Sequence, residues 1–180
     1  NLLAQLCKDG DIDRIRNYLD EININIRQFD SKIHTHNEIA DAILNRYYDE
    51  CAEAGIELKV KGHFAENYQI STFDTCVIFS NLLDNALQAE KKIKNIDKKE
   101  ISVKIRYTDE AETIILFEND IEEDIEIKNG KIKTTKKNRY DHGFGIENVM
   151  ECVEKNNGNI SIENEGRNFK VWINMVSSRI

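Results

Sequence analysis

The 180-residue chain contains no proline and no apolar run near the ~18 residues that a membrane-spanning helix needs. No signal peptide opens it. A link to a membrane is therefore expected only through segments preceding Asn1, and the abrupt start inside an apolar pattern (Leu2, Leu3, Leu6) reads as a piece of something longer. Cysteine is sparse. Cys7, Cys51, Cys76 and Cys152 are scattered without metal-ligand spacing, and three of them fall in helical patterns as small core residues, which points to a reducing, cytoplasmic setting. An excess of positive charge is also lacking: 25 Lys and Arg face 33 Asp and Glu, for a net charge of −8. Such a chain is a poor non-specific partner for nucleic acid unless its cations are segregated. There is no internal repeat, and no histidine occurs in residues 1–33.

What is present suits one ordinary domain with a helical extension. Residues 1–8 read as the end of a helix and Asp9-Gly10-Asp11 as a turn. Ile12, Ile15, Leu19, Ile22, Ile26, Phe29 and Ile33 then recur at alternating spacings of 3 and 4, an unbroken heptad seam. A hairpin this thin cannot bury a core alone. It either pairs with a second copy, giving a four-helix bundle across a homodimer, or lies on the domain that follows. We place the boundary between the hairpin, 1–36, and that domain, 37–180. His34 and His36 flank the junction, and with no Cys or His nearby to complete a metal set they read as loop residues.

From Asn37 the pattern alternates helix and strand. Asn37 caps a helix running to about Ala54 and closed by Gly55. Ile56–Val60 alternates as a strand. Ser71-x-x-Asp74 resembles a capping box before a helix over 72–92. Ile101–Ile105 and Thr113–Phe117 form a hairpin, 120–142 a long polar Gly/Lys/Thr-rich lid, and 145–156 a helix. A terminal hairpin, 159–164 and 168–176, turns at Glu165-Gly166. Four or five strands with interleaved helices predict an α+β sandwich.

The chemistry concentrates in two stretches. In the apolar helix at 72–92, Asn81, Asn85 and Gln88 fall at i, i+4 and i+7, one polar stripe among Cys76, Val77, Ile78, Phe79, Leu82, Leu83, Ala86 and Leu87. An amide buried without a partner costs roughly 1–3 kcal/mol, so such a stripe calls for a polar ligand or an oxygen-ligated cation. Asn85 offers a hard, neutral oxygen that suits Mg2+ held mostly by phosphates and water. The second stretch, His142-Gly143-Phe144-Gly145-Ile146, is a Gly-x-Gly turn opening a helix, whose bare amides and positive helix end suit a phosphate chain. Lys128, Lys131, Lys133, Lys136, Lys137 and Arg139 precede it. Lys136 and Arg139 are the cations placed best to reach a phosphate, with Thr134 and Thr135 as hydroxyl donors; His142 reads as a loop residue. Together these features predict a Mg-nucleotide site.

The two stretches resemble the N box and the second glycine box of the GHKL ATP-binding superfamily (gyrase, Hsp90, histidine kinase, MutL). Asn81-Leu-Leu-Asp-Asn-Ala86 is similar to the histidine-kinase form, and residues 134–149 and 34–60 look like the AgrC-type quorum-sensing branch. The resemblance implies a GHKL (Bergerat-type) sandwich, with a mixed sheet on helices, preceded by the dimerisation hairpin. It implies ATP and Mg2+ as cofactors, with Asn85 as the magnesium ligand. The implied reaction is transfer of the γ-phosphoryl group to a histidine and onward to a response regulator. Hydrolytic relatives carry a water-activating Glu where this chain has Asn81, so the amide argues for phosphoryl transfer over hydrolysis. Gln88 stands where many relatives have a lysine near the terminal phosphate. The usual Asp-x-Gly-x-Gly adenine box is missing after Phe117; Asn119, in phase with Ile115 and Phe117, is the adenine contact expected, with Glu118 the alternative register. Gly143, Phe144 and Gly145 would cradle the phosphates. The family's phosphoacceptor lies on the first hairpin helix, so the resemblance implies that it precedes Asn1. Two rival readings are another GHKL kinase, such as an anti-sigma-factor serine kinase, and a non-catalytic phosphotransfer scaffold.

Overall fold

The computed structural model describes residues 32–66, 68, 70–94, 98–108, 112–122, 127–128, 131–132 and 145–176. The chain divides into two compact units, Asn1–Lys32 and Ile33–Ile180. The seam positions Ile12 to Phe29 lie outside the described residues, and the division falls four residues before the expected one at 36/37. The physical reason is in residues 33–35. Ile33 is buried in the core of the second unit, and its backbone N–H and C=O are both held by the Asn45 side chain, at 3.1 and 3.0 Å. Thr35 is fully buried, and its N–H and hydroxyl both donate to Asp41 Oδ1, at 2.7 and 2.6 Å.

Within Ile33–Ile180 the elements run α1 (Glu38–Glu53), β1 (Ile56–Gly62), α2 (Thr72–Lys92), β2 (Lys99–Tyr107), β3 (Glu112–Asp120), β4 (Ile127–Lys128), β5 (Lys131–Ile132), α3 (Gly145–Lys155), β6 (Asn159–Glu165) and β7 (Asn168–Val176). Caps set the helix starts: the Asn37 side chain accepts from Ala40 N–H, and Ser71 Oγ from Asp74 N–H. The β4–β5 ladder interrupts a stretch that the sequence suggested was irregular. The Asn129-Gly130 dipeptide between its strands is a hairpin signal that the surrounding polar composition masked.

Five strands form one mixed sheet in the order β1-β2-β3-β7-β6. β1 and β2 are parallel, which requires a crossover, and α2 supplies it. The remaining pairs are antiparallel. Ile101, Val103, Ile105, Ile115, Phe117, Val171, Ile173 and Met175 are all buried, and the helices contribute Leu44, Tyr47, Ile78, Phe79, Leu83 and Val149 to the same core. Phe79 of α2 meets Phe117 of β3 edge to face, with ring centroids 5.4 Å apart. The alternate strand positions carry cross-strand ion pairs, Lys59–Glu100 and Lys104–Glu118, each at 2.6 Å. Only glycine can close β1: Gly62 has φ +86, and a Cβ there would lie 1.9 Å from the Ile105 carbonyl oxygen.

Candidate functional site

The amide stripe lies along the middle of α2. Leu82, Leu83, Ala86 and Leu87 take the buried positions, which leaves Asn81, Asn85 and Gln88 half-buried at the margin of the core. Asn81 is anchored within its own helix, Nδ2 donating to the Val77 carbonyl at 2.7 Å. One N–H of its amide is thereby used, and Oδ1 is turned to a neighbour.

That neighbour is the start of α3. A buried carboxylate ties the end of α3 to the start of α2. Asp74, in the first turn of α2, accepts from Lys155 Nζ at 3.1 Å and from Asn156 Nδ2 at 3.1 Å, both at the end of α3. Burial alone would raise the Asp74 carboxyl. Hydrogen bonds from Asn156, Ser71, Lys155 and Cys152 outweigh it and hold the pKa down at about 2. With the end of α3 pinned to the start of α2, the two helices run antiparallel and the first residue of α3 comes back to the stripe. A Cβ on Gly145 would lie 3.0 Å from Asn81 Oδ1 and 3.7 Å from Asn85 Nδ2. Glycine therefore lets the first turn of α3, which carries the positive helix end, approach the two amides closely.

On the sheet, Asn119 is 7% exposed on the helix-facing side of β3. Its Nδ2 donates to the Asp120 carbonyl at 2.8 Å, and Oδ1 is left for another donor. Glu118, the alternative in register, lies on the opposite face in its ion pair with Lys104. The structure adds a group that the sequence reading passed over. Glu90, near the end of α2, is fully buried, and its Oε1 accepts from the Asp120 N–H at 2.7 Å. An acid after Ala86, Leu87 and Ala89 was the sequence signal for it.

The structure thus brings together Asn81, Asn85 and Gly145, and sets Gln88 on the same stripe. Gly143, Phe144, Lys136, Arg139, His142, Thr134 and Thr135 lie outside the described residues, as do Lys133 and Lys137. Among the described residues, no group of three or more His, Cys, Asp or Glu side chains is placed to hold a metal ion, and no helix is long and apolar enough to cross a membrane. His36 sits at φ 64 with its ring 4.4 Å from that of His63.

Residues 70–176, which span α2, the glycine turn and most of the sheet, match the sequence pattern of the GHKL domain. The chain belongs to the GHKL family. Solved structures similar to this GHKL domain include the catalytic domain of the histidine kinase ThkA, with 12% identity and a TM-score of 0.61 over 80% of this chain and 94% of that one. The mycobacterial sensor histidine kinase MprB gives 14% identity and a TM-score of 0.56, over 79% of this chain and 96% of that one. The Acinetobacter baumannii histidine kinase AdeS gives 13% and 0.55, over 98% and 92%. At such identities the likeness is one of fold, and the fold is that of a histidine kinase catalytic domain. No curated protein matches the chain.

Proposed function

We propose that this GHKL domain is the kinase core of a two-component sensor histidine kinase of the AgrC-like branch. On this reading it binds Mg-ATP, passes the γ-phosphoryl group to a histidine and thereby signals to a response regulator. The observation that carries the reading is the close approach of Gly145 to Asn81 and Asn85. It is a place where any larger residue would crowd the amides, and where the start of a helix faces the Asn81 oxygen and the Asn85 amide. That helix end and those amides fit a phosphate chain with its cation. Mg2+, when bound, supplies positive charge to the phosphate oxygens, and one amide ligand suffices because phosphates and water complete its shell.

The chain's own residues then have separable tasks. Asn85 holds the cation through Oδ1. Asn81, fixed by its bond to Val77, positions the phosphate end; as an amide it takes no proton from water, which favours transfer to a side-chain nucleophile over hydrolysis. Gln88 lies toward the terminal phosphate. The α3 amides from Gly145, with Gly143, Phe144, Lys136 and Arg139, complete the cradle. Asn119 Oδ1 accepts from the adenine amino group, since its Nδ2 is committed to the Asp120 carbonyl. The heptad residues from Ile12 to Phe29 form the homodimer, and in the intact receptor the domain lies on the cytoplasmic side of a membrane.

Calorimetric titration tests the site. The wild-type chain is expected to bind ATP more tightly with Mg2+ than without. Asn85→Ala is expected to cost about 1–3 kcal/mol of Mg-ATP affinity. Equal Mg-ATP affinity in the two proteins would overturn the assignment.

A further inference from the structure

Among the described residues, Glu90 is a buried carboxyl that takes no part in the proposed phosphate cradle. Glu90 is fully enclosed, yet only one of its oxygens is used: Oε2 is buried and has no hydrogen-bond partner among the described residues. A carboxyl group in such a place is costly, and an apolar side chain would fill the volume without that cost. What Glu90 does hold is informative. Asp120 is gripped at both of its backbone polar groups, its N–H by Glu90 Oε1 at 2.7 Å and its C=O by Asn119 Nδ2 at 2.8 Å. A carbonyl only accepts, so Asn119 must turn Nδ2 toward Asp120, which leaves Oδ1 on the other side of the amide as an acceptor. An acceptor there pairs with the exocyclic amino group of adenine and opposes the carbonyl that guanine carries at the same position. The sheet holds the peptide that carries the Asp120 carbonyl, Ile121 N–H donating to the Arg167 carbonyl at 2.8 Å, and Glu90 holds the preceding peptide at the Asp120 N–H.

We propose that Glu90 is a positioning residue for base recognition: by holding the Asp120 N–H it fixes the Asn119 amide with Oδ1 available, so that the site takes adenine rather than guanine nucleotides. This rests on the nucleotide reading of the same site. The charge environment adds a second consequence. Burial pushes the Glu90 carboxyl up to about 7; the Asp120 N–H and Lys99 oppose the rise, while the charges of Asp120 and Glu100 add to it. Cys51 of α1 also faces it, and burial pushes that thiol up to about 11. Near neutral pH Glu90 therefore changes charge, and its ionised form would place an unpaired oxygen in the core and loosen the clamp.

The test measures Mg-ATP and Mg-GTP binding to the whole chain between pH 6 and 8, for wild type, Glu90→Gln and Glu90→Leu. Wild type is expected to prefer ATP, and its affinity relative to Glu90→Gln should fall roughly fivefold from pH 6 to 8. Taking that ratio cancels the titration of the nucleotide itself. Glu90→Gln keeps an acceptor for the Asp120 N–H and should keep the preference for ATP. Glu90→Leu should lose roughly tenfold in the ATP-to-GTP ratio while retaining its circular dichroism spectrum. A folded Glu90→Leu with the wild-type ratio overturns the clamp and leaves the nucleotide reading standing. Wild type that binds neither nucleotide overturns both. If Glu90→Leu does not fold, Glu90→Gln decides: a pH slope equal to that of wild type overturns the proposal.

Discussion

Replacing Gly145 with alanine separates the fold from the site, because the two respond in opposite senses. Alanine is the better helix former by up to about 1 kcal/mol in a helix interior, and by less at a first position. Against this, the new methyl would sit 3.0 Å from Asn81 Oδ1. Asn81 must give by a few tenths of an ångström, which bends its 2.7 Å bond to the Val77 carbonyl. A protein hydrogen bond contributes about 0.5–1.5 kcal/mol net, so partial loss roughly cancels the helix gain. Stability should therefore stay within about 1 kcal/mol of wild type in urea denaturation. Binding has no such compensation, because both the displaced amide and the crowded N–H groups belong to the proposed cradle. Mg-ATP affinity should fall by about 1–3 kcal/mol, or roughly 5- to 150-fold in Kd. Calorimetry on the same samples reads this. Unchanged affinity with unchanged stability would refute the claim that Gly145 and Asn81 form a phosphate cradle. A loss of several kcal/mol of stability would show that the contact is core packing instead.

Two buried carboxyls among the described residues, Asp74 and Glu90, should shape the pH dependence of stability in opposite directions. Asp74 has its pKa lowered from 3.8 to about 2, so its contribution, about 2 kcal/mol, is present above pH 4 and lost as the pH falls toward 2. Asp74→Asn should flatten the acid limb of denaturation curves measured over that range. Glu90 is raised from 4.5 to about 7, so its neutral form favours folding below pH 4.5, and about 3 kcal/mol is lost as the pH rises through 7. Glu90→Gln should remove that decline, and a persisting slope would place the titration on another group. Leu19→Asp with Ile26→Asp puts charges in the heptad seam, where unpaired burial costs several kcal/mol. Sedimentation should then report a monomer that still binds Mg-ATP; unfolding of Ile33–Ile180 would instead make the hairpin part of that core.

The periodic elements were legible in the chain because their causes are local. Asn37 and Ser71 cap helices through their own neighbours' N–H groups, and two-residue alternation marks β2, β3 and β7 whatever they pack against. The stripe Asn81, Asn85, Gln88 follows from helical spacing alone, and so does the placing of Asn119 on the same strand face as Ile115 and Phe117. Relations across long sequence separations were not legible. Asp74 reads locally as half of a capping box, and only packing reveals that it pins Lys155 and Asn156, 81 and 82 residues away, and so brings Gly145 onto the stripe. Glu90 reads as one more acid on a helix. Its 2.7 Å hold on Asp120 exists only because α2 crosses the end of β3. Ile33 fits the heptad seam by spacing, yet it is buried in the core of the following unit, because Asn45 captures its backbone. Sequence period sets which face a residue occupies. What that face meets depends on how elements distant in sequence pack, and no local pattern encodes that.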